Sequence, residues 1–315
     1  MRLSWWAGAL AAIASACALD PAPAGAATTA SNQIVSLTPV GGGVEKMMYR
    51  HDGLVLEALV DVPAGVAPRA PVLVVLHGGY LVSAPRLRHF PLGQTAPGMI
   101  HLSDLFPDAI VIAPEYRGYL QSQGHPAMVN ANASDAEAAL ALVDARFGAN
   151  RHAVYLLGYS DGGAVALAMA ETLPGVRAVV GVSPFTGYAL DYAWENWQLG
   201  TDTDTAYGIV TAALRLRAMQ FAFGGSPGQV PARYAAALPD GRLTAITAPV
   251  LLLQGTADRH VLWQATRALS NRLAALGKRI RFVLYPGGHH GLHTAPYQAE
   301  SDARIIAWLT RYGLT

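Results

Sequence analysis

Three side chains in this sequence have the types and the order that nucleophilic catalysis requires. Ser160 lies in a Gly-x-Ser-x-Gly pattern between Gly158 and Gly162, and Asp258 and His290 follow it along the chain. A serine hydroxyl is a weak nucleophile, so it needs an imidazole to take its proton and a carboxylate to orient that imidazole. The set predicts a hydrolase that forms an acyl-enzyme on Ser160.

The residues around Ser160 predict the local structure that such a serine needs. A short apolar run at 153–157 reads as a buried strand, and the Ala/Leu/Met-rich residues 164–171 read as a helix. On a sharp strand-to-helix turn the serine hydroxyl is exposed, and a Cβ at Gly158 or Gly162 would collide with neighbouring backbone. The N-terminal N–H groups of the helix favour a developing negative charge beside Ser160.

A second Gly-x-Ser-x-Gly pattern, centred on Ser226, has to be weighed against the first. No clear strand precedes it, and Pro227 follows the serine. Proline has no N–H, so Pro227 could not supply the oxyanion-hole donor expected from the residue after a nucleophile. Ser226 is therefore interpreted as a loop serine.

Asp258 and His290 each follow a predicted strand, at 249–254 and 280–285 respectively. The carboxyl ends of parallel strands meet at one edge of a sheet, which is where sites form. Asp258 could alternatively cap the helix after it, and His289 competes with His290 as the base. His289, His290 and His293 could also suggest a metal site, but no Cys or acidic ligand is nearby, so neither a metal nor another cofactor is expected.

An oxyanion hole is predicted after the apolar strand at 71–76, in the sequence His77-Gly-Gly79-Tyr80. Glycines let the backbone approach a tetrahedral intermediate, so that an N–H can bond its oxygen. We assign the N–H groups of Gly79 and Asp161 as the two donors, with Tyr80 as a candidate if the loop is shifted by one residue. The alternative is a turn that merely ends the strand.

Strands that alternate with helices predict a mainly parallel sheet with helices on both faces. Two N-terminal strands are expected at 33–40 and 54–62, with a turn at the triple glycine 41–43. Ser134 and Glu137 suggest a capping box that starts a helix ending at Phe147. Residues 183–248 interrupt the alternation and are interpreted as an inserted cap. Tyr188, Trp194 and Trp197 within it, together with Tyr80, could line an apolar substrate pocket, although the three cap residues could equally form the core of the cap.

These residues resemble the α/β-hydrolase superfamily, and within it the prolyl-oligopeptidase-like and dienelactone-hydrolase-like branches. The segment from Pro249 to Asp258 and the Tyr285-Pro-Gly287 loop follow the acid-to-histidine segment of those branches, with Leu292 where an aromatic residue is usual. Glu115-Tyr-Arg-Gly118 is similar to an Asn-Tyr-Arg-Gly element of the peptidase branch, with Glu115 as a departure. The resemblance covers roughly residues 70–182 and 248–310. It implies an α/β-hydrolase fold and His290 as the base.

The composition excludes several classes of function. A hydrophobic content of 52%, a charged content of 14% and a net charge of +1 favour a large core and argue against nucleic-acid or anionic-membrane partners. Met1-Arg2 followed by an apolar segment too short to span a bilayer predicts a signal peptide over residues 1–26 and an exported protein. Residues 27–315 then form one catalytic domain. The only cysteine, Cys17, is removed with the signal or, alternatively, carries a lipid anchor.

The leading hypothesis is therefore an exported carboxylic-ester hydrolase, secreted or periplasmic, acting on a small-molecule ester. The alternative is a serine peptidase or aminopeptidase acting on short peptides, suggested by the peptidase-like segments around Arg117 and Asp258. Against it, 315 residues leave no room for the large N-terminal β-propeller typical of that branch. A catalytically silent binding protein is a third class, and the intact Ser, Asp and His set argues against it.

Overall fold

The computed structural model describes residues 32–79, 102–201, 206–236 and 242–315. The predicted signal peptide 1–26 with Cys17, and the alternative oxyanion residue Tyr80, lie outside the described residues. None of the described helices is both long enough and apolar enough to cross a membrane.

One sheet organises the described residues, and its strands pair in the order β1-β2-β3-β5-β4-β6-β7-β8-β9. The strands are β1 (Gln33–Gly41), β2 (Val44–His51), β3 (Leu54–Asp61), β4 (Val72–Leu76), β5 (Ile110–Glu115), β6 (Val154–Tyr159), β7 (Val176–Val182), β8 (Val250–Gly255) and β9 (Ile280–Tyr285). The first three strands and β5 pair antiparallel, whereas all pairings from β5 through β4 to β9 are parallel. The predicted mainly parallel sheet is confirmed.

Helices cover both faces of this sheet. They are α1 (Val129–Phe147), α2 (Asp161–Thr172), α3 (Tyr188–Thr201), α4 (Ala206–Phe223), α5 (Pro231–Ala236), α6 (Trp263–Ala275) and α7 (Tyr297–Arg311). Side chains alternate between the two faces along β4: Val72 and Val74 join the core beneath α1 and α2, while Leu73 joins the core beneath α7. A strand buried on both faces has to be apolar throughout, which explains the continuous Val/Leu run.

The N-terminal part differs from the sequence-based expectation by one strand. β2 was not predicted, and it pairs with β1 through the triple-glycine segment, where the expected turn is confirmed. Met47 and Tyr49 of β2 are fully buried, although charged residues surround them. The strand was missed because Met, Glu, Lys and Arg have little intrinsic preference for strands, so tertiary packing decides its conformation.

The start of α1 also corrects the expectation. The helix begins at Val129, so Ser134 and Glu137 lie in its interior and form no capping box. The Ser134 hydroxyl instead contacts His51 Nε2 at 2.9 Å, and Glu137 accepts a hydrogen bond from Thr172 at 2.5 Å. Both side chains therefore serve contacts with neighbouring elements rather than with their own helix end.

The helices α3, α4 and α5 lie between β7 and β8, the interval in which the inserted cap was expected. Aromatic side chains join them to the sheet edge: Tyr188 packs against Phe185 and Phe223, and Phe223 stacks on Tyr234 with ring centroids 3.9 Å apart. All four rings are almost fully buried and form the base of the cap, so the cap shares the apolar core of the sheet.

The loop after β5 is fixed by a buried ion pair. Arg117 donates to both carboxylate oxygens of Asp135 on α1, at 2.6 to 3.2 Å, and its backbone N–H donates to the same carboxylate at 3.0 Å. Asp135 is fully buried. The bidentate geometry and the extra N–H bond compensate the loss of water around this charge. The pair therefore anchors the strand-end loop that includes Tyr116 and Tyr119.

Candidate active site

Ser160 occupies the sharp turn between β6 and α2. Its backbone angles are φ 54° and ψ −120°, a conformation that is strained for a residue with a Cβ. A Cβ added to Gly158 would lie 2.1 Å from the Gly162 carbonyl oxygen, and one added to Gly162 would lie 2.1 Å from the Leu76 carbonyl oxygen. Both glycines are thus required sterically, as the sequence predicted.

Hydrogen bonds from neighbouring elements hold this turn. The Ser160 N–H donates to the carbonyl of Val182 at the end of β7, at 2.9 Å. The Ser160 carbonyl accepts from the N–H groups of Gly163 at 3.0 Å and Phe185 at 2.8 Å. The backbone of the strained residue is therefore fixed from the sheet, from its own helix and from the first residues of the cap.

Asp258 and His290, the predicted acid and base, are 32 residues apart in the sequence and in direct contact in the structure. Nδ1 of His290 lies 2.9 Å from Oδ2 and 3.0 Å from Oδ1 of Asp258. The Asp258 side chain is fully buried and that of His290 is 26% exposed, so one side of the imidazole can reach a substrate. His289 is exposed and not part of this contact. Of the two histidines that were candidates for the base, His290 is the one paired with the carboxylate.

The carboxylate of Asp258 is held by several donors besides His290. Oδ1 accepts from the backbone N–H groups of His260 at 2.8 Å and Val261 at 2.9 Å, and Oδ2 accepts from Gln254 Nε2 at 2.8 Å. Burial acts to raise the pKa of Asp258, but the bonds from His290 and these N–H groups outweigh it and hold the pKa below its ordinary value. Helix α6 begins only at Trp263, so Asp258 does not cap it.

Two further histidines flank His290 and are held neutral. The ring of His260 lies 4.9 Å from that of His290, edge to face. Burial, then the charges of His290 and Arg215, lower the pKa of His260 to about 4. Burial and the charge of His290 also lower the pKa of His293, whose ring packs on Tyr159. Near neutral pH these two rings are therefore uncharged.

The predicted oxyanion loop lies against the nucleophile. A Cβ added to Gly78 would be 2.8 Å from Cβ of Ser160, so only glycine permits this approach. Gly79 has a φ of 90°. Asp161 is the first residue of α2, and the N–H groups of a first turn have no acceptor within their helix. These placements suit the roles assigned to Gly79 and Asp161, which stay predictions.

A cluster of buried ionisable groups lies beneath this loop and was not predicted from the sequence. The carboxyl of Asp161 is fully buried and accepts from Asn132 Nδ2 at 3.1 Å. Burial is the main cause that raises the pKa values of Asp161 and Glu115, each to about 8. Burial also lowers the pKa of His77 to about 4. His77 Nε2 lies 3.5 Å from Glu115 and accepts from the Tyr116 N–H at 3.3 Å. The cluster is therefore uncharged near neutral pH.

The predicted pocket residues fall into different environments. Tyr188 is fully buried, and its hydroxyl accepts a hydrogen bond from the Val129 N–H at 2.9 Å. These contacts are typical of a residue that packs in the core. Trp194 donates from Nε1 to the Arg259 carbonyl at 2.8 Å and lines a cleft beside His260. Trp197 lies on the same helix, α3. The pocket role of these residues stays a prediction.

The cleft beside His260, called here the His260 cleft, contains one carboxyl that the sequence did not indicate. It is lined by Phe185, Thr186, Gly187, Asp191, Trp194, His260, Val261, Leu262 and Ala265. Asp191 is 8% exposed, and its Oδ2 has no hydrogen-bond partner among the described residues. Burial and the charge of Glu195 raise the pKa of Asp191 well above its ordinary value, against the opposing charge of Arg215. The cleft thus combines an apolar wall with one unsatisfied carboxyl.

The competing serine, Ser226, lies in the loop between α4 and α5. Its N–H and its hydroxyl both donate to Oε1 of Gln229, at 2.9 Å and 3.0 Å. No strand precedes it in this part of the chain, which runs directly from helix to loop. Its interpretation as a loop serine is confirmed.

Comparison of the sequence with protein-family profiles identifies the family of the chain. The profile described as "Prolyl oligopeptidase family" matches residues 108–313, a range that includes Ser160, Asp258 and His290. Among curated sequences, the chain is 25% identical over 221 residues to an uncharacterized peptidase of Bacillus subtilis (strain 168), covering 70% of this chain and 77% of that protein.

Solved structures show where this fold occurs. A puromycin-hydrolyzing peptidase of Mycobacterium tuberculosis superposes with a TM-score of 0.67 at 18% identity, over 88% of this chain and 41% of that one. An esterase of Pyrococcus furiosus superposes with a TM-score of 0.60 at 15% identity, over 89% of this chain and 92% of that one. The chain thus spans about two fifths of the first protein and nearly all of the second. The predicted α/β-hydrolase fold is confirmed.

Replacing Glu115 with glutamine tests the protonation state of the buried cluster. The folded protein keeps Glu115 neutral up to about pH 8, whereas the unfolded chain ionises it near 4.5. Its contribution to the free energy of unfolding is therefore complete below 4.5 and is lost as the pH rises toward 8, by up to about 1.4 kcal/mol per pH unit. Glutamine cannot ionise, so the free energy of unfolding of Glu115→Gln should fall less steeply over this range.

The measurement is urea unfolding at several pH values, with Glu45→Gln as the control because Glu45 is only partly buried on β2. The control should follow the wild-type curve. Equal slopes for Glu115→Gln and wild type would show that Glu115 is ionised in the folded protein.

Proposed function

We propose that this chain, which belongs to the prolyl oligopeptidase family, is a serine hydrolase that cleaves carboxylic esters through an acyl-enzyme on Ser160. The observation that carries the proposal is the contact between His290 and Asp258, at the sheet edge that also carries the Ser160 turn. Family membership supports serine hydrolysis. The residue roles and the ester preference are our own assignment.

In the first half of the reaction, Ser160 Oγ attacks the acyl carbonyl carbon while Nε2 of His290 takes the hydroxyl proton. The carboxylate of Asp258 holds the other ring nitrogen, Nδ1, in its protonated form and stabilises the imidazolium. Negative charge develops on the carbonyl oxygen, and the N–H groups of Gly79 and Asp161 would bond it. The alkoxide then leaves with the proton from His290, and Ser160 carries the acyl group.

In the second half, a water molecule attacks the acyl-enzyme and gives its proton to His290. The tetrahedral intermediate collapses, the carboxylic acid leaves, and the proton returns to Ser160 Oγ. The neutral cluster of Asp161, Glu115 and His77 beneath the loop supports this step, because an ionised carboxylate so close to the developing oxyanion would oppose it.

Two observations favour an ester as the substrate. The His260 cleft beside the base is lined by Phe185, Trp194, Val261 and Leu262, side chains suited to an apolar acyl or alcohol group. The structural similarity to the Pyrococcus furiosus esterase extends over nearly the whole of both chains.

A second candidate function is that of an aminopeptidase acting on short peptides. Family membership supports it equally, and so does one feature of the His260 cleft, the carboxyl oxygen Oδ2 of Asp191, which has no hydrogen-bond partner among the described residues. A buried carboxyl with no partner is costly unless a cation or donor pairs with it. The free α-ammonium of a peptide would be such a partner, whereas a neutral ester would not.

We also propose that the protein is exported, on the basis of the N-terminal segment 1–26. Its basic start, short apolar stretch and small residues are typical of a signal peptide. Lipid attachment at Cys17 is the competing possibility, and it would place the enzyme at a membrane surface instead of in free solution.

Substitutions at the proposed catalytic residues should separate true participants from neighbours. Ser160→Ala and His290→Ala should lower kcat for p-nitrophenyl esters by about 10³-fold or more, and Ser160→Ala should abolish labelling by a fluorophosphonate. His289→Ala is the matched control, because His289 is exposed and adjacent in sequence, and it should keep kcat within about threefold of wild type. Activity that survives in His290→Ala but not in His289→Ala would overturn the assignment of the base.

Two classes of substrate and one variant distinguish an esterase from an aminopeptidase. Wild type should turn over p-nitrophenyl esters with a higher kcat/KM than aminoacyl p-nitroanilides. Asp191→Asn should leave ester kcat/KM within about threefold, because a neutral ester makes no charge pair with Asp191. Anilide cleavage that exceeds ester cleavage, and that falls at least about tenfold in Asp191→Asn, would replace the esterase by the aminopeptidase.

The export proposal is tested by expressing the full chain in a secreting bacterial host. The mature protein should appear outside the cytoplasm with its N-terminus near Ala27, as read by mass spectrometry. Recovery in the membrane fraction with a lipidated Cys17, lost on Cys17→Ala, would favour the anchored form. Retention of Met1 in a cytoplasmic protein would refute export.

A further inference from the structure

A second cleft lies at the opposite end of the sheet from the proposed catalytic residues. Leu251 and Arg281 lie near the amino ends of β8 and β9, whereas Asp258 and His290 follow the carboxyl ends of the same strands. The cleft has a volume of about 140 Å³ and is lined by Leu251, Arg281, Arg304, Ala307, Trp308 and Arg311. This volume is below the range usual for drug-sized ligands, about 300–1,000 Å³, so the cleft suits only a small molecule.

Register and helix periodicity bring these side chains together. Leu251 and Arg281 are directly paired across β8 and β9, so both project from the sheet face on which α7 packs. On α7, Arg304, Trp308 and Arg311 follow one another at spacings of four and three residues, which places them along one side of the helix. The cleft is thus the groove between α7 and the first residues of the last two strands.

Every polar group that lines the cleft is a hydrogen-bond donor. Guanidinium groups and the indole N–H have no acceptor atoms. Arg304 is partly engaged by Glu300, at 2.7 Å, whereas Arg281 and Arg311 form no ion pair with any described residue. A fourth guanidinium, that of Arg279, lies 5.9 Å from the ring of Tyr312, which in turn packs on Trp308. A net positive charge therefore surrounds the cleft although the chain as a whole is nearly neutral.

The indole of Trp308 provides an independent indication of a ligand. Its side chain lines the cleft, yet the residue is only 9% exposed, and Nε1 has no hydrogen-bond acceptor among the described residues. A buried Trp N–H usually finds a partner, because leaving one unpaired costs about 1–3 kcal/mol. An acceptor supplied by a bound molecule would satisfy it, and the surrounding guanidinium groups favour an anionic acceptor.

We propose that this cleft is a binding site for a small organic carboxylate with an apolar body. The carboxylate oxygens accept from Trp308 Nε1 and from the guanidinium forks of Arg281 and Arg311, a planar arrangement that suits bidentate pairing. The apolar body packs on Leu251, Ala307 and the indole face. This site does not depend on the proposed hydrolysis, since it lies at the other end of the sheet.

The test is isothermal titration calorimetry of the full chain with 3-phenylpropionate. The neutral analogue 3-phenylpropanamide removes the charge at constant shape, and acetate removes the apolar body. We expect 3-phenylpropionate to bind with a dissociation constant of about 1 mM or lower, acetate at least about tenfold more weakly, and the amide without measurable heat. Absence of binding up to about 10 mM, or equal binding of the amide, would overturn the proposal.

Variants locate the binding within the cleft. Trp308→Phe keeps an aromatic ring but removes the N–H together with the pyrrole part of the indole, and it should weaken 3-phenylpropionate binding at least about fivefold. The double variant Arg281→Gln/Arg311→Gln should weaken it at least about tenfold. Arg50→Gln is the matched control, since Arg50 is likewise an exposed arginine on a strand, and it should bind as wild type does.

Thermal unfolding and ester turnover of each variant report whether its fold is intact. If a folded Trp308→Phe protein binds 3-phenylpropionate as tightly as wild type, the indole N–H does not receive the ligand and the site is wrong. If Trp308→Phe unfolds, the arginine double variant is the deciding measurement. Unchanged affinity of that variant for 3-phenylpropionate would also refute the site.

Discussion

The turn at Ser160 depends on how closely three stretches of backbone can approach one another. Gly158, Gly162 and Gly78 each lie at a point where a single added carbon would overlap a neighbouring atom. Because of this approach, the oxyanion loop lies against Ser160, and the start of α2 lies against the ends of β4 and β6. It also leaves Ser160 in a backbone conformation that has to be stabilised from outside, by hydrogen bonds with Val182 of β7 and with Phe185 near the start of the cap.

The charged groups around this turn are arranged so that few of them carry charge. Asp258 is ionised and receives a full set of donors, whereas Asp161, Glu115, His77, His260 and His293 are shifted toward their neutral forms, mainly by burial. A low-dielectric site strengthens any charge that appears in it. The reaction proposed for this site creates one charge on the substrate and one on His290, and the neutral surroundings leave the pairing of these two charges unopposed.

The sequence predicted the parts of the molecule that local chemistry determines. Continuous apolar runs indicated the buried parallel strands. Ser160, Asp258 and His290 each follow one of these strands, and this position predicted that they lie at one edge of the sheet. β2 and the true start of α1 were missed, because the burial of Met47 and the contacts of Ser134 depend on elements distant in sequence.

Supporting residues were the hardest to foresee. Gln254 carried a usable signal, since it is a lone amide at the end of an otherwise apolar buried strand and a buried polar group requires a partner. That partner is Asp258. Asn132 and Asp191 carried none, because their contacts join helices whose packing no local pattern specifies.

The cap and the catalytic loops share their attachment points. Phe185 at the root of the cap bonds the Ser160 carbonyl, Ser183 accepts from the N–H of Gly291 beside the base, and Trp194 bonds the carbonyl of Arg259 next to Asp258. The cap therefore cannot be repositioned without also moving the backbone around Ser160, Asp258 and His290, so the shape of the cleft and the geometry of the catalytic loops are mechanically coupled.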